Sequence, residues 1–410
     1  MSQAKLSPRS LVTYPIIDAD QHYYEPDDCF TRHIDPKFRD RAVHIVRGQS
    51  KYAQVFIGNE RLKFFTTPPG EHAGQPGSFK AFLENRAGPH ALASGKTIPC
   101  SEFPESMQRD VRMKWLREQN VQATLMFPSL AVGVEHELRK FGPEAVFANA
   151  AAFNKWIADD WGWNYQDTIV SAACLSLADI DMAVAELERV LREGARIVNL
   201  LPGPVMGRSP ADPHFDPFWA RCEEAGVPVA FHLGNAGMEE TYSTLWGEKP
   251  HPQHHRVSPF QRVTSFIERP IADTIAALIL HNLFGRFRKL QVLSIENGSG
   301  WVGPLLKKME SSARWSEARD FTFGPIHDRP AAIFKQHISV SPFPEDDLND
   351  LVASIGPSRV LCGSDWPHPE AMATPIEFAD GLPDLKAAEL RQVMRGNTAK
   401  LLGIKDTVAA

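Results

Sequence analysis

Short apolar runs alternate along this chain with amphipathic stretches of helical period. The first run, Ile16 to Tyr23, closes on polar residues, as a buried parallel strand does where it meets a loop. Comparable runs follow at Ala123 to Pro128, Ile169 to Leu175, Arg196 to Leu201, Val227 to Leu233, Leu290 to Glu296, His337 to Ser341 and Arg359 to Ser364. Helical periodicity separates them, at Met113 to Gln119, Pro143 to Trp161, Asp181 to Glu193, Pro217 to Glu224, Pro270 to Phe287, Trp301 to Met309, Glu345 to Ile355 and Lys386 to Leu402. Strands alternating with helices wind by right-handed crossovers into one parallel sheet, and eight such units predict a closed α/β (β/α)8 TIM barrel. The first connection differs from the rest. From about residue 26 to 110 it is rich in proline and glycine, as in Pro68-Pro69-Gly70, and shows no long helical period. It is read as a large cap inserted after strand one, within a single domain spanning residues 16–405 behind a flexible segment 1–15.

Composition narrows the function classes. At 410 residues and 43% hydrophobic content, one large elaborated core is expected rather than several small domains. The net charge of -6 carries no basic cluster able to neutralise phosphates, and no glycine-rich phosphate loop follows a strand, so neither nucleic acid nor a nucleotide is an expected partner. No stretch is apolar for the roughly 20 residues a bilayer demands, and Met1 to Pro15 lacks the apolar core of a secretory signal. A cytoplasmic protein is expected. The five cysteines are odd in number and form no Cys-x-x-Cys pair, which fits reduced, packed thiols.

Chemistry collects at the strand ends. Strand one ends Asp18-Ala19-Asp20-Gln21-His22-Tyr23-Tyr24-Glu25, where a period of two points Asp20 and His22 to one side. Strand five ends at His232, just before Gly234, and strand six at Glu296. A carboxylate closing an apolar strand is costly to bury unless a cation or donors neutralise it. Strand eight ends Gly363-Ser364-Asp365-Trp366-Pro367-His368-Pro369-Glu370. Any one of these is more simply a cap or a hydrogen-bonded core residue. On a barrel all strand ends share one mouth, so four coincidences together point to one metal site.

Asp20-x-His22, His232 and Asp365 resemble the metal-ligand order of the amidohydrolase superfamily, and the phrase from Gly363 to His368 is similar to its amidohydrolase-related branch, which includes decarboxylases of small aromatic acids. The resemblance runs from Ile16 to Leu402 and implies that Asp365 both holds metal and moves a proton. Two departures stand out. Strand four ends Ile197-Val198-Asn199-Leu200, without the lysine whose carbamate bridges two metals in many members. Glu296 stands where the decarboxylases and many hydrolases place a histidine.

The candidate ligands Asp20, His22, Glu25, His232, Glu296, Asp365 and His368 exceed the three or four protein groups that about one catalytic zinc takes. Four carboxylates among them balance two divalent cations, so a dinuclear centre is expected, with two irons, or manganese and iron, ahead of zinc. Such a centre resembles the superfamily's nonheme diiron monooxygenases. That resemblance implies dioxygen as co-substrate and hydroxylation of a hydrophobic carboxylic acid or its thioester, with Asp365 and Glu296 as catalytic residues. The rival is a one-metal hydrolase of an ester, lactone or amide, or a nonoxidative decarboxylase. His281 sits midway along a helical pattern and is read as a packed or hydrogen-bonded residue. Phe64, Phe65, Tyr242, Trp246, Phe260 and Phe266 offer apolar surface for a small-molecule substrate, with Arg256 beside His251 to His255 expected to face an anionic group. Trp156, Trp161 and Trp163 are read as core or as the face of an expected homo-oligomer.

Overall fold

The first strand, Ile16–Tyr23, is buried along its whole length because it lies inside a ring of neighbours. The structure, a computed structural model, describes residues 7–48, 53–64, 72–83, 96–252 and 256–404. Strand one pairs in parallel with Val121–Pro128, which pairs with Ile169–Ser171. That strand continues past Ala172 into Ala173–Cys174, which pairs with Val198–Leu200. Val229–His232, Val292–Ile295 and Ile338–Ser341 follow, each parallel to the one before.

Residues 360–366 close the ring. The Leu361 amide donates to the Val340 carbonyl at 2.9 Å on one side, and the Ala19 amide donates to the Cys362 carbonyl at 2.7 Å on the other. Farther up, Asp365 N–H donates to Asp20 O at 2.9 Å and His22 N–H to Trp366 O at 2.7 Å. The eighth segment is therefore a set of isolated bridges rather than the regular strand its apolar run predicts. Asp365, at φ 59°, turns the backbone out of extended geometry where a regular ladder would continue. Ala19, Leu125, Val170, Ile197, Ala230, Leu293 and Leu361 fill the barrel interior as a packed core.

Amphipathic helices cover the outside. Ile180–Arg192 buries Ala183, Leu187 and Val190 at helical spacing and begins where the Asp179 side chain accepts the Met182 amide. The single helix expected from Pro270 to Phe287 is two, Glu268–Leu280 and Leu283–Arg286, interrupted by Asn282 at φ 58°. His281 caps the first of these, its Nδ1 2.8 Å from Ser209 Oγ. The last expected helix is interrupted likewise, Ala387–Arg391 and Asn397–Leu402 flanking a π turn at Gln392–Gly396. Pro330–His337 is a helix that the sequence pattern did not suggest, with proline at its first turn.

Where the first connection lacks helical period, it forms small antiparallel sheets: Val43–Val46 with Gln54–Ile57 and Glu60–Arg61, and His72–Gly74 with Thr97–Pro99. Phe65 and Pro68-Pro69-Gly70 lie outside the described residues. Of the segment read as flexible, residues 1–6 also lie outside them, and Pro8–Leu11 is a helical turn tied by Arg9 to Asp380. Trp156, Trp161 and Trp163 are buried, the first two packed against the Tyr23 ring. Among the described residues, no helix is long and apolar enough to cross a membrane.

The helix Arg109–Glu118 carries an arginine on its buried face, next to Met113 and Leu116. Arg112 is fully buried and donates to His22 O at 2.8 Å, Gln21 Oε1 at 3.1 Å and Glu105 O at 2.6 Å. Its guanidinium lies 4.1 Å from the centre of the Trp366 ring. Burial pulls its pKa down to about 9, the nearby carboxylates opposing. One cation thus holds strand one and residue 366 in register. Arg112→Met leaves these acceptors buried without donors and is expected to cost about 3 kcal/mol of stability in chemical denaturation. A loss below about 0.5 kcal/mol would contradict that role.

Candidate metal centre

Each side chain of the centre is aimed by a local departure from regular backbone. Strand one carries a bulge: Asp18 faces Thr124 and Gln21 faces Met126, so three steps on one strand oppose two on the other. Bulges re-aim side chains beside active sites, and here Asp20 lies in the bulged stretch. Glu296 and Asp365 both stand at positive φ, 53° and 59°, a conformation that non-glycine residues hold only when their surroundings impose it. Asp18, in the same bulge, accepts from Ser364 N at 3.0 Å, Ser364 Oγ at 2.6 Å, Gln21 Nε2 at 2.7 Å and Asp20 N at 3.2 Å. Burial pushes its carboxyl up to about 6 against the pull of those donors.

The side chains meet at one point. His22 Nε2 lies 3.5 Å from Asp20 Oδ1, 3.4 Å from Glu296 Oε2 and 3.3 Å from Asp365 Oδ1. His232 Nε2 lies 3.6 Å from Asp20 Oδ1 and 3.2 Å from Glu296 Oε2. Both imidazoles are oriented from behind: Nδ1 of His22 donates to Pro128 O at 3.2 Å, and Nδ1 of His232 to Leu233 O at 2.9 Å. That leaves each Nε2 with a lone pair facing the centre. Asp20 Oδ1 and both Nε2 atoms are buried without a hydrogen-bond partner. Orphaned polar atoms in a core are rare, and their separations match the edge of about 3.3 Å expected of a tetrahedron with metal–ligand bonds of about 2.0–2.1 Å. The residues fit a divalent cation.

Electrostatics agree. Burial alone would depress His22, but the hydrogen bonding and charge of Asp20 and Glu296 outweigh it and raise its pKa to about 10. The field at Nε2 therefore favours positive charge, which a proton or a metal ion can supply. Burial would raise Asp20, but His22 and His232 hold its carboxyl below the usual range. Burial pushes Asp365 well above it, with Glu296, Glu370 and Asp20 adding repulsion.

Two residues from the sequence inventory stand differently. Glu25 Oε1 accepts from the amides of Ser129 at 2.9 Å and Leu130 at 2.8 Å, outside the two groups whose ligand atoms cluster here. His368 is engaged at both nitrogens, Nδ1 2.7 Å from Asp365 Oδ1 and Nε2 2.8 Å from Ser129 Oγ. It holds the same Asp365 oxygen that faces His22, with its ring 4.0 Å from that of His22. Trp246 is 64% exposed against Phe260, and Arg256 is exposed; neither they nor Tyr242 line the two cavities at the barrel mouth. His254 and His255 lie outside the described residues. Sequence reasoning passed over Arg112 and Ser129. Arg112 carried a signal, a cation on the apolar face of a helix, whereas nothing local marked Ser129.

The expected dinuclear iron oxygenase is overturned here. The groups Asp20, His22, His232, Glu296 and His22, Glu296, Asp365, His368 share His22 and Glu296 and merge into a single divalent-metal cluster. The count of four carboxylates that implied a second cation fails because Glu25, its Oε1 held by backbone amides, lies outside both groups. Several solved structures that share this fold are decarboxylases by name.

Fold and site together define a barrel built around one divalent-metal position. The chain belongs to the amidohydrolase family, whose model matches residues 17–404. It is similar to the crystal structure of amidohydrolase map2389c from Mycobacterium avium subsp. paratuberculosis K-10, at 36% identity over 96% of this chain and 100% of that one, with a TM-score of 0.87. The fold is shared with 2,6-dihydroxybenzoate decarboxylase from Rhizobium, at 15% identity over 96% and 99% of the two chains and a TM-score of 0.61. It is shared too with 5-carboxyvanillate decarboxylase from Sphingomonas paucimobilis, at 13% identity over 96% and 100% and a TM-score of 0.59. No curated protein matches the chain in sequence.

Gly363 lets strand eight come this close. A Cβ there would lie 2.0 Å from Ser341 Oγ and 2.8 Å from Asp20 Cβ. Gly363→Ala is expected to displace Asp20 and weaken manganese binding about 10-fold or more, the range of changes just outside a metal's ligands, as read by calorimetry. Adding Ser341→Gly removes the worst clash and should restore part of the affinity; unchanged binding in the single variant would contradict the packing argument.

Proposed function

We propose that this chain is a mononuclear, divalent-metal-dependent hydrolase acting on a neutral ester, lactone or thioester of a hydrophobic acid. The observation that supports this most is the single point on which His22, His232, Asp20, Glu296 and Asp365 converge, with three buried atoms there lacking partners. These five residues would hold the ion. Their oxygen and nitrogen donors, without thiolate, suit manganese, ferrous iron or zinc. Such an ion supplies polarisation of a carbonyl and acidification of water at neutral pH.

Asp365 acts as general base. Burial and its acidic neighbours make its carboxylate a stronger proton acceptor than an exposed one, and His368 fixes its orientation at 2.7 Å. The Ser129 hydroxyl donates to Tyr23 O at 3.0 Å, so its lone pair receives the His368 Nε2 proton. Nδ1 is then left to share a proton with Asp365, which accepts it from water and returns it to the leaving group. Charge selects the substrate. Asp20, Glu296 and Asp365 outnumber the charge of one divalent cation, and a carboxylate on the substrate would be repelled where a neutral carbonyl would not.

A second reading, nonoxidative decarboxylation, is favoured by the activities for which the Rhizobium and Sphingomonas proteins are named. One experiment separates the two: chains loaded with manganese or zinc are given ester, lactone and thioester panels and hydroxylated aromatic acids, in air and under argon, with acid and carbon dioxide release followed. One ion per chain and oxygen-independent acid release are expected, with Asp365→Asn lowering kcat about 100-fold or more while retaining metal. Carbon dioxide release without acid release would move the reading to decarboxylation. Two ions per chain, or turnover that stops under argon, would end it.

A further inference from the structure

Next to the metal position the strand ends leave a partly open pocket, with His232 as one wall. Four neighbouring strands or their ends contribute Pro128, Cys174, Asn199 and His232. Phe30, Leu138, Val146, Phe153, Leu175 and Leu201 make most of the remaining wall apolar. Glu135 is the one charged side chain in that lining, and it is already engaged: Arg139 Nη2 donates to it at 2.6 Å and Ser176 Oγ at 2.5 Å. No lysine or arginine among the described residues lines the space. An apolar pocket left unfilled forfeits packing that a closed core would gain, and such pockets in barrel enzymes are where ligands go. The charged cleft on the other side of the short helix Glu135–Leu138, lined by Arg61, Lys63, Lys140, His136 and Glu240, shows by contrast what an ion-binding lining looks like in the same mouth.

We infer that this chamber is the subsite for an uncharged, apolar acyl or ring group whose carbonyl is presented at the metal position beside His232. The inference rests on the hydrolase reading for the reaction but not for the binding. Selection follows from the lining. An apolar tail gains burial with each methylene until the chamber is full, whereas a tail ending in a carboxylate meets no cation and sits near Glu135.

The test is a calorimetric titration of the manganese-loaded protein with straight-chain alkyl hydroxamates of increasing length, whose head group binds metal and which are not turned over. Affinity is expected to rise about 4-fold per methylene, the ratio corresponding to ~0.8 kcal/mol, and then to level off. Chains of equal length ending in a carboxylate are expected to bind about 10-fold more weakly or worse, the factor that ~1.4 kcal/mol represents. Ala150→Phe and Val146→Phe, which fill the chamber from two positions on the helix Pro143–Asp160, should each flatten the series with metal content unchanged. A flat series in the parent protein, equal binding of the carboxylated chains, or a length dependence that both fillings leave intact overturns the chamber. Length dependence in a protein that hydrolyses nothing in the ester panels keeps the chamber and overturns the hydrolase. Hydrolysis indifferent to chain length does the reverse.

Discussion

Three carboxylates, those of Asp20, Glu296 and Asp365, are buried within reach of the His22 Nε2 atom, and two of them, Asp20 and Glu296, within reach of His232 Nε2 as well. Taking each out of water costs several kcal/mol unless opposite charge returns it. Among the described residues no lysine or arginine pairs with them at that point; the buried Arg112 donates elsewhere, to Glu105 O, Gln21 and His22 O. What remains is a proton on His22 or a cation among the five side chains, and the orphaned Asp20 Oδ1 and histidine Nε2 atoms fit the cation better. The barrel's closure and its chemistry are therefore one problem, since strands one and eight both supply ligands and must meet for the ring to close.

The seam between those strands shows how the meeting is arranged. Backbone bonds join Ala19 to Cys362, Asp20 to Asp365 and His22 to Trp366. Asp18 latches onto both donors of Ser364, and Gly363 removes the one side chain that would hold Asp20 away. Arg112, stacked on Trp366, holds the His22 carbonyl from the opposite side. Positive φ at Glu296 and Asp365 is the visible cost of turning both carboxylates inward. No single one of these contacts fixes the site; each removes one way of missing it.

Much of this was legible in the chain. The apolar runs at Ile16 to Tyr23, Val227 to Leu233 and Leu290 to Glu296 read directly as strands, because burial on both faces leaves no alternation to confuse with a helix. The eighth run was legible as an element but not as irregular backbone, since nothing in Arg359 to Ser364 announces the positive φ of Asp365. Residue types at strand ends indicated a metal, but they do not state distance. Glu25 and Asp20 look alike in sequence, and only the fold reveals that the Ser129 and Leu130 amides hold Glu25 Oε1 apart from the cluster in which Asp20 lies. His368 reads as a ligand by spacing and does fall in a group with His22, Glu296 and Asp365, but spacing could not show that its nitrogens also meet Asp365 and Ser129. The aromatic residues around Tyr242 and Trp246 had no periodicity to place them.

The charge count that misled the sequence reading becomes informative once Glu25 is set aside. With four carboxylates, two divalent ions give neutrality; with three, one ion leaves a residual negative charge and two leave a residual positive one. In a low-dielectric mouth either residue of charge is costly, but one proton cancels the first, and Asp365 is the carboxyl whose surroundings most favour holding it. With one cation in place, the proton that Asp365 takes from water and shares with His368 is thus what brings these side chains to neutrality. Cation and proton together are also the minimum that bond cleavage at a carbonyl needs: a Lewis acid on one side and, on the other, a group that can take a proton and give it back.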